Sequence, residues 1–282
     1  MARNTKVAAI QDAPPVTRTL AKLVATHPSR GWSDAVEKEA HRTFLNWAGC
    51  AVGAAHHESV DAALGAVAML QPAPQSSVLG RSDRVDMASA ALVNGISSHT
   101  FDFDDTHLKT IIHPAGPVAS ALLALAEVTG ASGREVIDAL VLGIDVSCRI
   151  GNCIYPEHYD CGWHITGSTG TLGAAAACAR LLKLDEKKTA MALGIAASQP
   201  VGMREQFGTM TKPFHPGAAA RAAPPGWKGL VIVPNCSRMP TGCEAAMPSA
   251  IVVRASSSPS RRAQPAAAPS DPVDPVMCQP RS

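Results

Sequence analysis

Between His99 and His113 the chain places three carboxylates (Asp102, Asp104, Asp105), three hydroxyls (Thr100, Thr106, Thr110) and three imidazoles (His99, His107, His113). Carboxylates this dense cannot all ionise comfortably in a partly buried site, so some proton affinities must move. Such shifts mark acid–base sites and structural networks alike. On an extended segment Asp102 and Asp104 share one side, a carboxylate pair flanked by Thr106 and His107 that could hold a substrate hydroxyl or move a proton. At a helix end the same aspartates would act as caps. Both readings stay open at this level. Asp-x-Asp-Asp-x-His also offers cation-ligand types, but no second carboxylate cluster completes a shell, and no metal is expected.

Three later groups have the same flavour. Pro114 biases His113 towards an extended conformation just before a helix N-terminus, where it would face an anion or merely sit in a surface turn. His164 follows Gly162-Trp163 and precedes a Gly/Ser/Thr run, Thr166 to Thr171, that enters a helix. That run could present N–H groups and hydroxyls to a carboxylate, or let a helix pack closely. It lacks the Gly-Lys-Ser/Thr ending of a phosphate-binding loop, so nucleotide binding there is rejected. Lys212, beside Thr211 and ahead of His215, is a carboxylate clamp, a proton donor or a solvated loop lysine. Tyr155, His158 and Tyr159 form a further polar group of the kind loops often carry.

These residues need a scaffold, and composition indicates which. The 282 residues are 46% hydrophobic but only 4% aromatic, so the core must be built from Ala, Leu, Val, Ile and Met. Small apolar residues in long runs suit close-packed helices better than sheets. A net charge of +2 with scattered basic residues gives no support for nucleic-acid binding. Eight cysteines form no CxxC and fit no zinc module, and Cys50, Cys148 and Cys178 read as reduced core residues. No leader and no membrane span is apparent, so a cytoplasmic protein is expected.

Helices are predicted over Val16–Ala25, from the N-cap Ser33 onward with Val36, Ala40, Phe44, Trp47 and Ala51 in one stripe, and over Ser59–Leu70 and Met87–Ser98. Val78-Leu79-Gly80 reads as a short extended piece. Pro117–Val128 carries Pro in its first turn. Ser132-Gly133-Arg134-Glu135 is a capping box opening a helix to about Ile150. Further helices are predicted over Thr169–Leu182 and, capped by Asp185, to about Ser198.

Taken together, the segments His99–Thr106, His113-Pro114, Gly162-Trp163-His164 with Gly167 and Gly170–Gly173, and Thr211–Gly217 with Ala220-Arg221 resemble the MmgE/PrpD family, whose members include 2-methylcitrate dehydratase and cis-aconitate decarboxylase. The likeness runs from about Ser33 to Ala222. It implies a large helical domain with a smaller α+β lid domain, and for this chain, which carries the helical part, an all-α fold: a helical domain over 33–222 behind an arm and first helix at 1–32. It also implies a homodimer and a lyase that acts on a small di- or tricarboxylate without metal or other cofactor. Carried over by motif, Asp102, Thr106, His113, His164 and Lys212 look like its active-site residues, with His107 and His215 as adjacent substrate-binding candidates.

Such a lyase would take a proton next to a carboxylate and expel water or carbon dioxide. The developing negative charge needs cations or hydrogen-bond donors, roles that fall to Lys212 and His113. His164 is the first choice for general acid or base, Asp102 orients a histidine or accepts a hydroxyl, and Thr106 positions the substrate. An epimerase on the same scaffold is the rival enzyme reading. After Ala222 the composition changes abruptly: the last 60 residues hold 11 of the 22 prolines and one aromatic residue, Trp227. Residues 223–282 are therefore expected to be a disordered Pro/Ser/Arg-rich tail foreign to the family, arising from truncation or a shifted frame. A catalytically inactive helical fragment is the third reading.

Overall fold

Three short-range devices start the helices. Ser33 accepts a hydrogen bond from the Val36 N–H, Asp185 from Lys188, and Ser132 and Glu135 satisfy each other's backbone N–H groups as a complete capping box. In the computed structural model, which describes residues 15–28 and 32–223, the elements are α1 (Val16–Thr26), α2 (Asp34–Gly53), α3 (Glu58–Ala68), β1 (Ser76–Ser77), β2 (Arg84–Val85), α4 (Met87–His99), α5 (Ala115–Thr129), α6 (Gly133–Ile154), α7 (Glu157–Asp160), α8 (Ile165–Leu181), α9 (Glu186–Ala197) and α10 (Phe214–Ala222). The arm before residue 15 and the tail from residue 224 lie outside the described residues. The fold is all-α apart from one two-stranded hairpin.

The centre of the fold is α8, whose residues from Ile165 to Ala179 are all buried. It packs on α6, α5, α9 and α10. Small residues let the backbones approach. A Cβ on Gly173 would lie 2.7 Å from the Gly143 carbonyl oxygen, and one on Gly170 would lie 2.4 Å from the Pro117 ring. Glycine at these crossings is a packing requirement, which outweighs its poor intrinsic helix propensity. Trp47 of α2 is the largest fully buried side chain, and its indole N–H donates to Ser120 Oγ on α5 at 3.0 Å.

Several expectations shift. The Thr166–Thr171 run does not offer its N–H groups to a ligand. It forms the first two turns of α8 and is fully buried, so the close-packing reading holds. The extended piece lies two residues before Val78-Leu79-Gly80: Ser76 pairs with Val85 and Ser77 with Arg84. Of the three cysteines read as core, Cys178 is buried, but Cys50 and Cys148 are only half-buried.

Candidate active site

The acidic segment is a turn between α4 and α5. Asp102 takes a left-handed backbone (φ 59°), which breaks the strand-like alternation and turns the three carboxylates in different directions. Asp102 is exposed. Asp104 is buried and accepts from His99 Nδ1 at 2.8 Å, with His113 Nδ1 at 3.3 Å. Asp105, also deeply placed, accepts from the Ala115 N–H at the start of α5 at 3.2 Å. His107 pairs with Ile112 across this turn, and its Nδ1 meets Thr110 Oγ1 at 2.7 Å.

Burial alone would raise the pKa of Asp104, but the charges and hydrogen bonds of His99 and His113 prevail and hold it well below the carboxylate range. Burial, and then the Asp104 charge, push Asp105 up to about 7. Burial would lower His113, yet its hydrogen bond to Asp104 and the charges of Asp104 and Asp102 raise it above an ordinary histidine.

The second half arrives from the loop before α10. Lys212 Nζ donates to both oxygens of Asp102 at 2.7 Å and lies 5.0 Å over the Phe207 ring. His164, which immediately precedes α8, holds its Nδ1 2.8 Å from His215 Nδ1, and His215 Nε2 meets Gln206 Oε1. Burial, followed by His99, His215 and Lys212, drives His164 down to about 2; burial, His99 and Lys212 take His215 to about 4. Both imidazoles are therefore neutral near pH 7.

One wall of a cavity of about 260 Å³ is made by His57, His99, Phe101, Asp102, Met210 and Lys212. That volume suits a small molecule rather than a drug-sized one. His113 and His164 stand behind this wall, at ring separations of 4.7 and 5.8 Å from His99. His113 Nε2 is 3.7 Å from Asp102 Oδ1. His99 Nε2 is buried without a hydrogen-bond partner, 3.8 Å from the same oxygen. His99, Asp102, Asp104 and His113 each bring a ligand atom within 4.8 Å of the others. The Lys212 ammonium already stands on Asp102 there, and Asp104 is engaged by both imidazoles, so this donor set answers to the protein's own cation.

A family model described as the MmgE/PrpD N-terminal domain matches residues 18–227. The chain belongs to the MmgE/PrpD family. Among curated relatives, the cis-aconitate decarboxylase-like protein oryM of Aspergillus oryzae is 31% identical over 203 residues, covering 69% of this chain and 42% of that protein. The cis-aconitate decarboxylase of Homo sapiens is 39% identical over 157 residues (52% and 31%), and that of Aspergillus terreus is 32% identical over 158 (54% and 32%). The chain thus spans between about a third and two fifths of the length of these relatives.

In this MmgE/PrpD domain the residues singled out in the sequence fall into two groups. Asp102, Lys212, His113, His164 and His215 come together around His99, and Thr106 joins through Oγ1, 3.3 Å from His113 Nδ1. His107 is instead engaged by Thr110 and Ile112. His99, Asp104 and Gln206 carry parts of the site that sequence reasoning did not assign. The first two lie inside the quoted motif, and only the turn at Asp102 decides which carboxylate goes inward. Gln206 has no local signal, because loop pairing brings it to His215. His158 is half-buried and bonded to Ser168 Oγ at 2.7 Å, so that polar group buttresses α8.

Proposed function

We propose that this domain handles a small di- or tricarboxylate in a lyase reaction that expels carbon dioxide or water, without a metal or other cofactor. The observation that carries the reading is the Lys212 ammonium, held on exposed Asp102 at the edge of a small cavity and backed by His99 and His113. A substrate carboxylate takes the place of Asp102 on Lys212. Lys212 and the readily protonated His113 then face the negative charge that develops when a bond next to the carboxylate breaks. His164, neutral at rest, is the acid–base group. In loss of water it accepts the C–H proton while the departing hydroxyl takes a proton from His113. In loss of carbon dioxide, as the bond to the departing carboxylate breaks, it relays one proton from solvent to the carbon left with the electron pair. Thr106 positions the substrate through its contact with His113, and His107 has no part. The relatives' names favour loss of carbon dioxide over loss of water.

The proposal includes a homodimer in a cytoplasmic setting. An exposed apolar face around Leu45, Val52, Phe101 and Phe103 supports the first. The five described cysteines, all free, support the second. Among the described residues no helix is long and apolar enough to cross a membrane.

The test is to incubate the purified chain with cis-aconitate, weigh the product by mass spectrometry and follow binding by calorimetry. A product lighter by carbon dioxide is expected. Lys212→Ala should abolish saturable binding, and His164→Ala should slow turnover about 10²–10⁴-fold. A product of unchanged mass would move the assignment to an isomerase. Absence of both binding and turnover overturns the reading.

A further inference from the structure

The chain of hydrogen bonds from Gln206 to His164 has a direction. Gln206 presents its carbonyl oxygen to His215 Nε2, so that nitrogen carries the proton and donates. His215 is then left with an unprotonated Nδ1. His164 meets it with Nδ1 at 2.8 Å, which must donate. In a neutral imidazole one nitrogen holds the proton and the other holds the lone pair. His164 is thereby left with a bare Nε2.

We propose that Gln206 and His215 are positioning residues that fix the tautomer of His164, so that its Nε2 is a proton acceptor before substrate arrives. The inference rests on the role given to His164 above and extends it to two residues that do not touch substrate.

The backbone around the relay is built to keep both rings in place. Trp163 and Met203 pair across an isolated antiparallel bridge, the His164 N–H donates to the Gly202 carbonyl at 3.0 Å, and the Arg204 N–H to that of Gly162 at 2.8 Å. The loop that carries Gln206 is therefore tied to the residues that carry His164. Gly202 has φ +98°, and a Cβ there would sit 2.6 Å from His215 Cγ, so the backbone itself is the surface on which the His215 ring rests. Phe207 closes the other side, its ring meeting His164 edge-on at 4.7 Å. Neutral rings are the condition for a unique tautomer, and burial supplies it for both.

The experiment is long-range proton–nitrogen NMR on the full chain labelled with ¹⁵N-histidine, with His164 and His215 assigned by comparison with His164→Gln and His215→Gln. The expected pattern is a pyrrole-type Nδ1 and a pyridine-type Nε2 for His164, and the reverse for His215. Gln206→Glu supplies a charged acceptor that draws a second proton onto His215, whose other titratable or charged neighbours are His164, His99 and Lys212. A doubly protonated His215 donates from Nδ1, so His164 must switch to the Nε2–H form. The relay is overturned if wild-type His164 already carries its proton on Nε2, or if Gln206→Glu folds with an unchanged His164 pattern. The wild-type spectrum alone decides the first point should that variant not fold. Where turnover is measurable, Gln206→Glu should lower kcat about tenfold or more with little change in KM. The expected tautomers in a chain that neither binds nor converts carboxylates would uphold the relay and sink the proposed function.

Discussion

Asp105 shows how one side chain can serve the fold and strain it together. Its carboxylate accepts from Ala115 at the start of α5, where the helix dipole favours an anion, yet burial and the neighbouring Asp104 charge push its pKa from 3.8 to about 7. The folded state therefore holds this proton more tightly than the unfolded chain does. Its contribution is fully present below the ordinary aspartate value and is lost as pH rises from about 4 through 7. Asp105→Asn keeps the carbonyl acceptor and removes the ionisation. It should raise stability at pH 8 by up to roughly 4 kcal/mol, and by less than half of that at pH 5. Urea unfolding at the two pH values measures the difference, and equal gains at both would refute the burial of this charge. The same segment marks how far the site was legible. Dense carboxylates announced that pKa values must move, and the His-Pro, Trp-His and Thr-Lys-Pro-x-His motifs name side chains that the fold brings together. Which aspartate turns inward depends on one left-handed residue, Asp102, and an acidic residue in that conformation leaves no unique mark in sequence.

At the scale of elements, the crossing of α6 and α8 has little room to spare. A Cβ on Gly143 would lie 2.6 Å from Ala177 Cβ, 2.8 Å from the Gly173 oxygen and 2.8 Å from Val118 Cγ1. Alanine gains about 1 kcal/mol over glycine in a helix interior, but two of these obstacles are backbone or a Cβ and can move only with their helix. Overpacking costs about 1–3 kcal/mol or more and should win, so Gly143→Ala is expected to lower the thermal midpoint. Gly194 of α9 has nothing within 4 Å of the same atom. There Gly194→Ala should stabilise by about 0.5–1 kcal/mol. A pair of thermal melts in which both substitutions shift the same way would contradict this account. The contrast explains the misplaced start of α8. Propensity starts this helix at Thr169, four residues after its true start at Ile165, whereas the fold needs small side chains in that first turn, where helices meet. Caps could be read directly because they act within four residues; helix crossings could not, because the partner is far away in the chain.

At the scale of the whole molecule, the described residues leave an apolar face open. Leu45 is 72% exposed, Val52 52% and Phe103 77%, around a groove that Phe101 shares with the candidate substrate cavity. Asn46 Nδ2 donates to the Phe103 carbonyl at 3.1 Å and so anchors the aromatic turn on α2. Scattered exposed apolar side chains are ordinary, but large aromatics held on a rigid frame beside a groove are what subunit interfaces use as anchors. In the proposed homodimer a second copy covers this face. Because Phe101 and Phe103 flank Asp102, covering them also restrains the turn that presents Asp102 to Lys212. Phe103→Glu places a charge in that face without touching the core, so helical content by circular dichroism should be unchanged. Sedimentation velocity should show a dimer for the wild-type chain and a monomer for the variant, and the monomer should bind tricarboxylate more tightly, because a less restrained Asp102 competes less with the substrate carboxylate for Lys212. A wild-type chain that sediments as a monomer at every accessible concentration removes the second copy from the proposal. A monomeric variant with unchanged or weaker affinity keeps the dimer but cuts its link to the site.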